Sequence, residues 1–529
     1  MKHFIRSSIL VLSSGILLSS CNPVVTSSKE TSLPKNNTSS MTELSSSMVE
    51  ESTLIDITET SLDSSKENEL SDSSFASISS FIDEIDVDDS LSLFDAENEI
   101  SLRLEMSDDV MDFVSSYQSE RGKYADAYLP ANLIIVVNGH TSTLYEVGVR
   151  QKGNTSRSEF YDGRSITNPV HFKISLKATF DSELYDDPLL TPYKKSWASE
   201  AARKARKKRT FLGYDKFDLK YLPRNGCGCL GREIYAYDMF NEAGIYAPKT
   251  RTCSFTFGNE DATYQGTYQM IETIDTQFLL RRFSKDEAQG DLYKCVYNAM
   301  GKADFSRNDA VTKEESNGYN VGKRIQRGKI GVENAYEGYF PCYQLKTNDD
   351  LGESSSFVKV ENLINNLWSC VYGSGDQALL ESTIDMDQFL KFSAISYLLA
   401  NFDDQRYNNN NYYIYFLPSS SKAIFIPYDW DWSLGLGNSY LYHSLPLDNW
   451  TLDGNDPNNL FQATFLPKNS PKYDHQGYIN TYLGYVEQYK DQVLSIERFH
   501  STLDKYKIPL DELDQVNGYM NSKKSVLID

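Results

Sequence analysis

Residues 401–416 read Asn401-Phe402-Asp403-Asp404-Gln405-Arg406-Tyr407-Asn408-Asn409-Asn410-Asn411-Tyr412-Tyr413-Ile414-Tyr415-Phe416. After a short polar turn come Ala423-Ile424-Phe425-Ile426-Pro427-Tyr428-Asp429-Trp430-Asp431 and then Leu434-Gly435-Leu436-Gly437. Two aromatic and β-branched runs separated by a turn predict a β-hairpin. Antiparallel pairing then brings the start of the first strand and the end of the second to one end of the sheet. Acidic and amide oxygens from both segments converge there. Taken singly, an Asn run is often a turn and Asp-Trp-Asp a surface corner. Together the packed carboxylates repel one another and call for a compensating cation.

Working upstream, residues 385–400 predict an amphipathic helix with Phe389, Leu390, Phe392, Ile395, Leu398 and Leu399 on its apolar face. Residues 131–137 and 143–149 predict strands joined at Asn138-Gly139, a strong hairpin signal. In residues 170–177, Phe172, Ile174 and Leu176 alternate with His171, Lys173, Ser175 and Lys177, which predicts a strand with a cationic face. The basic stretch 194–209 has no matching apolar face and reads as a solvated insertion. A helix is predicted over 232–243, with Glu233 near its start and Gly244 at the C-terminal cap. Strands follow over 252–257 and 266–272, then a short helix over 278–283. The fold class is α+β.

The chain begins with Lys2 and Arg6, an apolar run over 9–18, and Leu18-Ser19-Ser20-Cys21. That order of charged, apolar and small residues is a secretory signal, and the run is too short to span a bilayer. Small residues directly before Cys resemble a bacterial lipobox, which assigns 1–20 to a signal peptide and makes Cys21 a lipidated N-terminus. Acyl chains there anchor the protein to the bacterial cell membrane on its extracytoplasmic face. Residues 22–100 hold 3 Lys and no Arg against 18 Asp plus Glu, which is −15 of the whole chain's −22. With their Ser and Thr, residues 21–100 predict a disordered acidic stalk, within which Phe81, Ile82, Ile85 and Val87 can form a docking element. The same acidity repels phosphodiester backbones and argues against general nucleic-acid binding. Six further cysteines, among them Cys227 and Cys229, permit disulfides in an exported chain. The six His lack His-x-x-x-His spacing, and no Walker loop, Gly-x-Ser-x-Gly or His-Glu-x-x-His occurs.

Several segments, in this order, resemble the spore-coat-protein-H, or CotH, family of kinase-like proteins. They are residues 149–156, the strand around Lys173, residues 232–248, 266–272, Gly290-Asp291-Leu292-Tyr293-Lys294, Leu345-Lys346-Thr347-Asn348, and 411–415 with Pro427-Tyr428-Asp429-Trp430-Asp431. The resemblance implies an atypical protein-kinase-like two-lobed fold over 101–529, with one lobe at about 125–285 and the other at about 286–529. It implies ATP with Mg2+ or Mn2+ as cofactors and Ser or Thr of surface proteins as acceptors. Phosphoryl transfer needs a cation on the phosphates, an Asp and an Asn on the metal, and a further Asp on the acceptor hydroxyl. The resemblance puts Asp429 and Asn411 on the metal, with Asn410 beside them; Tyr428 stands where the family commonly has Trp. Asp404 takes the catalytic place if a small insertion is assumed, with Asp403 as the alternative. Lys173 is the phosphate-holding lysine, paired with Glu233; Arg150 and Lys152 are rivals, and Glu272 joins the cofactor side. Alternative functions are a non-catalytic kinase-like adhesin or scaffold, and a carbohydrate-associated surface protein.

Overall fold

The computed structural model describes residues 83–87, 90–153, 156–221, 231–298, 301–307, 329–348, 357–436, 458–466, 475–508 and 513–528. The signal segment, Cys21, Phe81, Ile82, Cys227 and Cys229 lie outside the described residues. A compact unit takes in residues 81–529.

Seven strands close into a barrel: β1 (Ile100–Glu105), β2 (Leu129–Val137), β3 (His140–Gln151), β4 (Phe172–Ser175), β5 (Lys216–Tyr221), β6 (Thr250–Gly258) and β7 (Thr263–Glu272). Their spatial order is β1-β2-β3-β4-β5-β7-β6, and β1 closes the circuit by pairing parallel to β6. Strict alternation in β2 buries Leu129, Ala131, Leu133, Ile135 and Val137 inside. The Asn138-Gly139 turn forms as the sequence predicts, with both residues at positive φ and Val137 opposite His140. Aromatic rings fill the interior: Phe172 lies 4.8 Å from Phe257, and Phe255 lies 4.8 Å from Tyr268, both edge-on.

A second sheet runs β12-β11-β8-β10-β9, with β8 (Leu292–Cys295) between β11 (Tyr412–Phe416) and β10 (Tyr343–Leu345). The other members are β9 (Ile330–Gly331) and β12 (Ala423–Pro427). The predicted hairpin is β11–β12, in register from Tyr412↔Pro427 to Phe416↔Ala423. Helix Met386–Leu399 covers this sheet, packing Phe389 and Phe392 against Phe425.

Among the barrel strands, the chain from β5 to β6 detours through helix α1 (Arg232–Glu242), which belongs to the core of the second sheet and its helices. Residues 232–237, Met239 and Phe240 are buried, so the helix is enclosed nearly all round. Gly231 at φ 75° starts it and Gly244 at φ 78° ends it. Arg232 donates to the Leu434 carbonyl (2.6 Å), the Ser433 carbonyl (3.3 Å) and Gln515 Oε1 (2.6 Å), which ties the helix to the segment after Asp431.

Three expectations change. Folding starts before residue 100: Leu93 and Phe94 are buried, Glu84 pairs through its backbone with Thr143, and Arg209 holds Asp83 at 3.0 Å. Apolar side chains late in the acidic stretch therefore find the barrel surface. The barrel itself begins at Ile100, ahead of the lobe limit near 125. The basic stretch 194–209 includes a helix, Glu200–Lys207, without buried residues, yet it is pinned by charge: Arg206 pairs with Glu146 at 3.2 Å, and Arg203 pairs with Asp181. The cysteines within the described residues, Cys253, Cys295, Cys342 and Cys370, are buried thiols.

Candidate active site

Strand β5 reads Lys-Phe-Asp-Leu-Lys-Tyr. Period two sends Phe217 and Leu219 into the barrel core and leaves Asp218 and Lys220 on the other face. Lys220 is 4 % exposed, and its ammonium lies 3.0 Å from Glu233 Oε2, 2.8 Å from Asp429 Oδ1 and 2.7 Å from Asp431 Oδ2. One lysine thus joins the barrel, helix α1 and the segment after β12. Glu233 is held from its other oxygen by the Tyr237 hydroxyl (2.8 Å) and the Trp430 amide (3.3 Å). The Asp429 amide donates to Tyr237 Oη at 2.9 Å. Trp430 is fully buried, edge-on to Phe240 at 4.8 Å, so the Asp-Trp-Asp turn is locked against α1.

Asp429 sits at φ 57°, a conformation that costs a non-glycine residue on the order of 1 kcal/mol or more. Its side chain is 35 % exposed, and Oδ2 makes no hydrogen bond or ion pair among the described residues. Burial opposes its charge, but Lys220 and Lys152 outweigh that and hold the carboxyl well below the usual carboxylate range. Asp431 is pushed upward, first by burial and then, against the pull of Lys220, by Asp429 and Glu233.

The loop before β11 supplies a second carboxylate. Asp403 accepts from Asn408 Nδ2 (2.5 Å), Asn410 Nδ2 (3.0 Å) and Asn411 Nδ2 (2.9 Å). Asn401 joins the two segments: its Oδ1 accepts from the Asp403 amide (2.9 Å), and its Nδ2 donates to the Asp429 carbonyl (3.2 Å). The Tyr428 amide donates to the Asn411 carbonyl at 3.2 Å. Burial raises the Asp403 carboxyl, Asn408 and Asn410 offset this in part, and the charge on Asp429 adds to it.

Asp404, the first choice from the sequence, has a different task. It is 1 % exposed, and its Oδ1 accepts from the Arg406 (2.9 Å) and Tyr407 (3.0 Å) amides, closing the turn that presents Asp403. Burial pushes it up to about 7. Asp403 is the carboxylate that the Asn411 side chain contacts directly, at 2.9 Å, and with Asn411 on the metal its eight-residue separation still assumes a small insertion relative to the five-residue kinase spacing. If Asp403 serves the acceptor hydroxyl, Asp403→Asn lowers the transfer rate by a factor of about 10²–10⁴. Asp404→Asn keeps both backbone contacts and stays within about tenfold of wild type, since it leaves that proton acceptor in place. Steady-state rates of the two variants decide between them; the reverse ranking would restore Asp404.

The other residues singled out in the sequence divide. Glu233 is at the centre, but its lysine is Lys220 and not Lys173. Lys173 pairs with Asp218 at 3.3 Å, and Lys152 reaches the same carboxylate at 3.2 Å. Burial would raise Asp218, yet Lys152 and Lys173 hold it down at about 2. The cationic face of β4 is therefore neutralised by the neighbouring strand, Lys177 meeting Asp215 at 2.5 Å as well. Arg150 is tied to Asp126 (3.1 Å) and to the Ala125 carbonyl (3.0 Å). Glu272 has partners apart from the Lys220 cluster: it bridges Arg281 (2.7 Å) and Arg282 (2.6 Å) and accepts from the Lys249 amide. Asn410 accepts from the Tyr297 amide at 2.6 Å while donating to Asp403, and Asn411 leaves its Oδ1 without a hydrogen bond among the described residues. Lys220 and Asp431 were missed. The signal for Lys220 was the same alternation that marked the strand of Lys173.

Among the described residues no group of three or more His, Cys, Asp or Glu side chains could hold a metal ion. Asp429 and Asn411 fit a different arrangement: Mg2+ takes one or two carboxylates from protein and fills its shell with phosphate and water, and carboxylate and amide oxygens are hard donors of that type.

A family model described as CotH kinase protein matches residues 191–523, more than half of the chain. The chain belongs to the CotH kinase family. Lys220, Glu233, Asp403, Asn411, Asp429 and Asp431 all fall inside the matched CotH region, whereas Arg150, Lys152 and Lys173 precede it. Membership of this kinase family implies ATP use. A comparison with curated proteins finds no match.

Proposed function

We propose that this CotH domain is an atypical protein kinase that transfers the γ-phosphoryl group of ATP to Ser or Thr of surface proteins. The observation that carries the reading is Lys220, held by Glu233 and touching Asp429. A lysine paired with a helix glutamate beside a metal-binding aspartate is the arrangement that protein kinases use to hold phosphates. Glu233 fixes the ammonium, which faces the phosphate oxygens once nucleotide enters. Asp429 and Asn411 would hold Mg2+ or Mn2+, which neutralises charge on the phosphates. Asp403, restrained by three asparagines, orients the acceptor hydroxyl and takes its proton. Positioning and fixed charge do most of the work in this reaction.

The test is incubation of the full chain with γ-labelled ATP, Mg2+ or Mn2+, and a generic Ser/Thr-rich acceptor. Label on Ser or Thr is the expected result. Nucleotide binding without transfer would leave a kinase-like scaffold instead.

We further propose that the domain works outside the membrane, carried there by the signal of residues 1–20 and lipid on Cys21. Stable attachment needs two or more acyl chains. Cys21→Ser is expected to move the protein from the membrane fraction to the soluble extracytoplasmic fraction; unchanged partition would reject the anchor.

A further inference from the structure

The second sheet carries a cation to which none of these roles has been assigned. Lys294 lies on β8, in register with Tyr413 of β11 on one side and Gln344 of β10 on the other, so its backbone is fixed by two neighbours. Tyr413 is two residues beyond Asn411. The Lys294 ammonium sits 4.4 Å from the ring centroid of Tyr428, the residue before Asp429, and Lys152 Nζ lies 5.4 Å from the same ring. Lys294 therefore reaches the end of the sheet where Tyr428 leads into the metal-binding aspartate.

Its electrostatic setting is unbalanced. Lys294 is half-buried and has no ion pair or hydrogen bond from its ammonium among the described residues. The acids that feel it are engaged by other cations: Glu333 pairs with Arg121 and, at 3.3 Å, with Lys346, while Asp429, whose charge Lys294 helps to favour, pairs with Lys220 at 2.8 Å. Burial, with Lys346 adding to it against Glu333, brings Lys294 down to about 7. A poorly solvated cation without a counter-charge costs stability, so the site is arranged for an anion that arrives from outside.

We infer that Lys294 is a further catalytic residue, whose ammonium binds the oxygens of the phosphoryl group in transit. This rests on the kinase reading of Lys220 and Asp429. In the step itself the acceptor oxygen bonds to the γ-phosphorus while the bond from that phosphorus to the β–γ bridging oxygen breaks. The hydroxyl proton passes to Asp403, and ADP leaves with the electron pair of the broken bond. Charge on the three remaining γ-oxygens is what Lys294 faces from the second sheet, complementing Lys220 on the barrel.

The experiment compares full-length wild type, Lys294→Met and Lys294→Arg by label transfer, ADP affinity and thermal melting. Lys294→Met is expected to lower kcat by a factor of about 100 while ADP affinity changes less than about twofold, because ADP lacks the γ-phosphoryl group. Its Tm is unchanged or raised by about 1–3 °C, since a half-buried charge with no ion pair is removed, and Lys294→Arg recovers part of the rate. Wild-type kcat in Lys294→Met, an Arg variant as slow as Met, or a lowered Tm with lost ADP binding would overturn the role of Lys294 alone. Wild-type protein that transfers no label would overturn the kinase reading and this role with it.

Discussion

Asp429→Asn is expected to lower phosphoryl transfer by a factor of about 10²–10³ or more while the domain stays folded. The carboxylate has one oxygen on Lys220 and the other open at the site, and its charge is secured by Lys220 and Lys152 against burial. Asparagine keeps an oxygen that accepts from Lys220 but removes the negative charge a divalent cation needs. Loss of a charge that Lys220 and Lys152 favour in the folded state lowers stability, by an amount reduced because the side chain is 35 % exposed, while the backbone contacts to Tyr237 and Asn401 persist and keep the turn in place. The charge lost also relieves Asp403 and Asp431, both of which Asp429 pushes upward. Circular dichroism and melting beside the transfer assay separate the two effects. A variant that transfers label at the wild-type rate would remove Asp429 from the reaction.

Lys220→Met has the second large effect, and it acts on stability as well as rate. Glu233 is 1 % exposed and Asp431 13 %, so deleting their common cation leaves one buried and one largely buried carboxylate uncompensated, at a cost of about 3–5 kcal/mol. The pH dependence has a definite sign. A carboxyl whose folded value is raised above its unfolded value of about 3.9 contributes stability that is complete below that value and is lost as pH rises through the folded one. Asp404, at about 7, behaves so in the wild type, which should lose stability between roughly pH 4 and 7 on its account. Asp431 is raised in the same direction. Without Lys220, Asp431 rises further, and the deficit relative to wild type is smaller at pH 5 than at pH 8. Urea denaturation of both proteins at the two pH values measures it. A deficit that shrinks as pH rises would mean that Lys220 is not the counter-ion of these acids.

How much of this was legible beforehand follows from the physics of each element. The β11–β12 hairpin, helix Met386–Leu399 and the Asn138-Gly139 turn announce themselves because apolar period and turn chemistry are local properties. Asp429, Asn411 and Glu233 were singled out because they stand in ordered segments, and the structure brings Asp429 and Glu233 together on Lys220. Closure of the first sheet into a barrel was not readable, since it depends on β1 pairing with β6 across roughly 150 intervening residues, a contact that no local pattern encodes. That Glu233 takes Lys220 and not Lys173 as its partner was unreadable for a similar reason. Both lysines sit on alternating strands, and only the neighbouring acids distinguish them: Asp218 faces Lys173, whereas α1 delivers Glu233 to Lys220. Between Asp403 and Asp404 the sequence gives adjacency, while burial makes one a turn-closing group and leaves the other toward Asn408, Asn410 and Asn411.

The most direct measurement is a crystal structure of the full chain with Mn2+ and a non-hydrolysable ATP analogue, using the anomalous signal of manganese. The predicted result is a manganese peak bonded to the Asp429 carboxylate and the Asn411 side-chain oxygen, with the Lys220 ammonium on phosphate oxygens and still paired with Glu233. A nucleotide bound elsewhere, or a manganese peak that does not touch Asp429, would contradict the assignment.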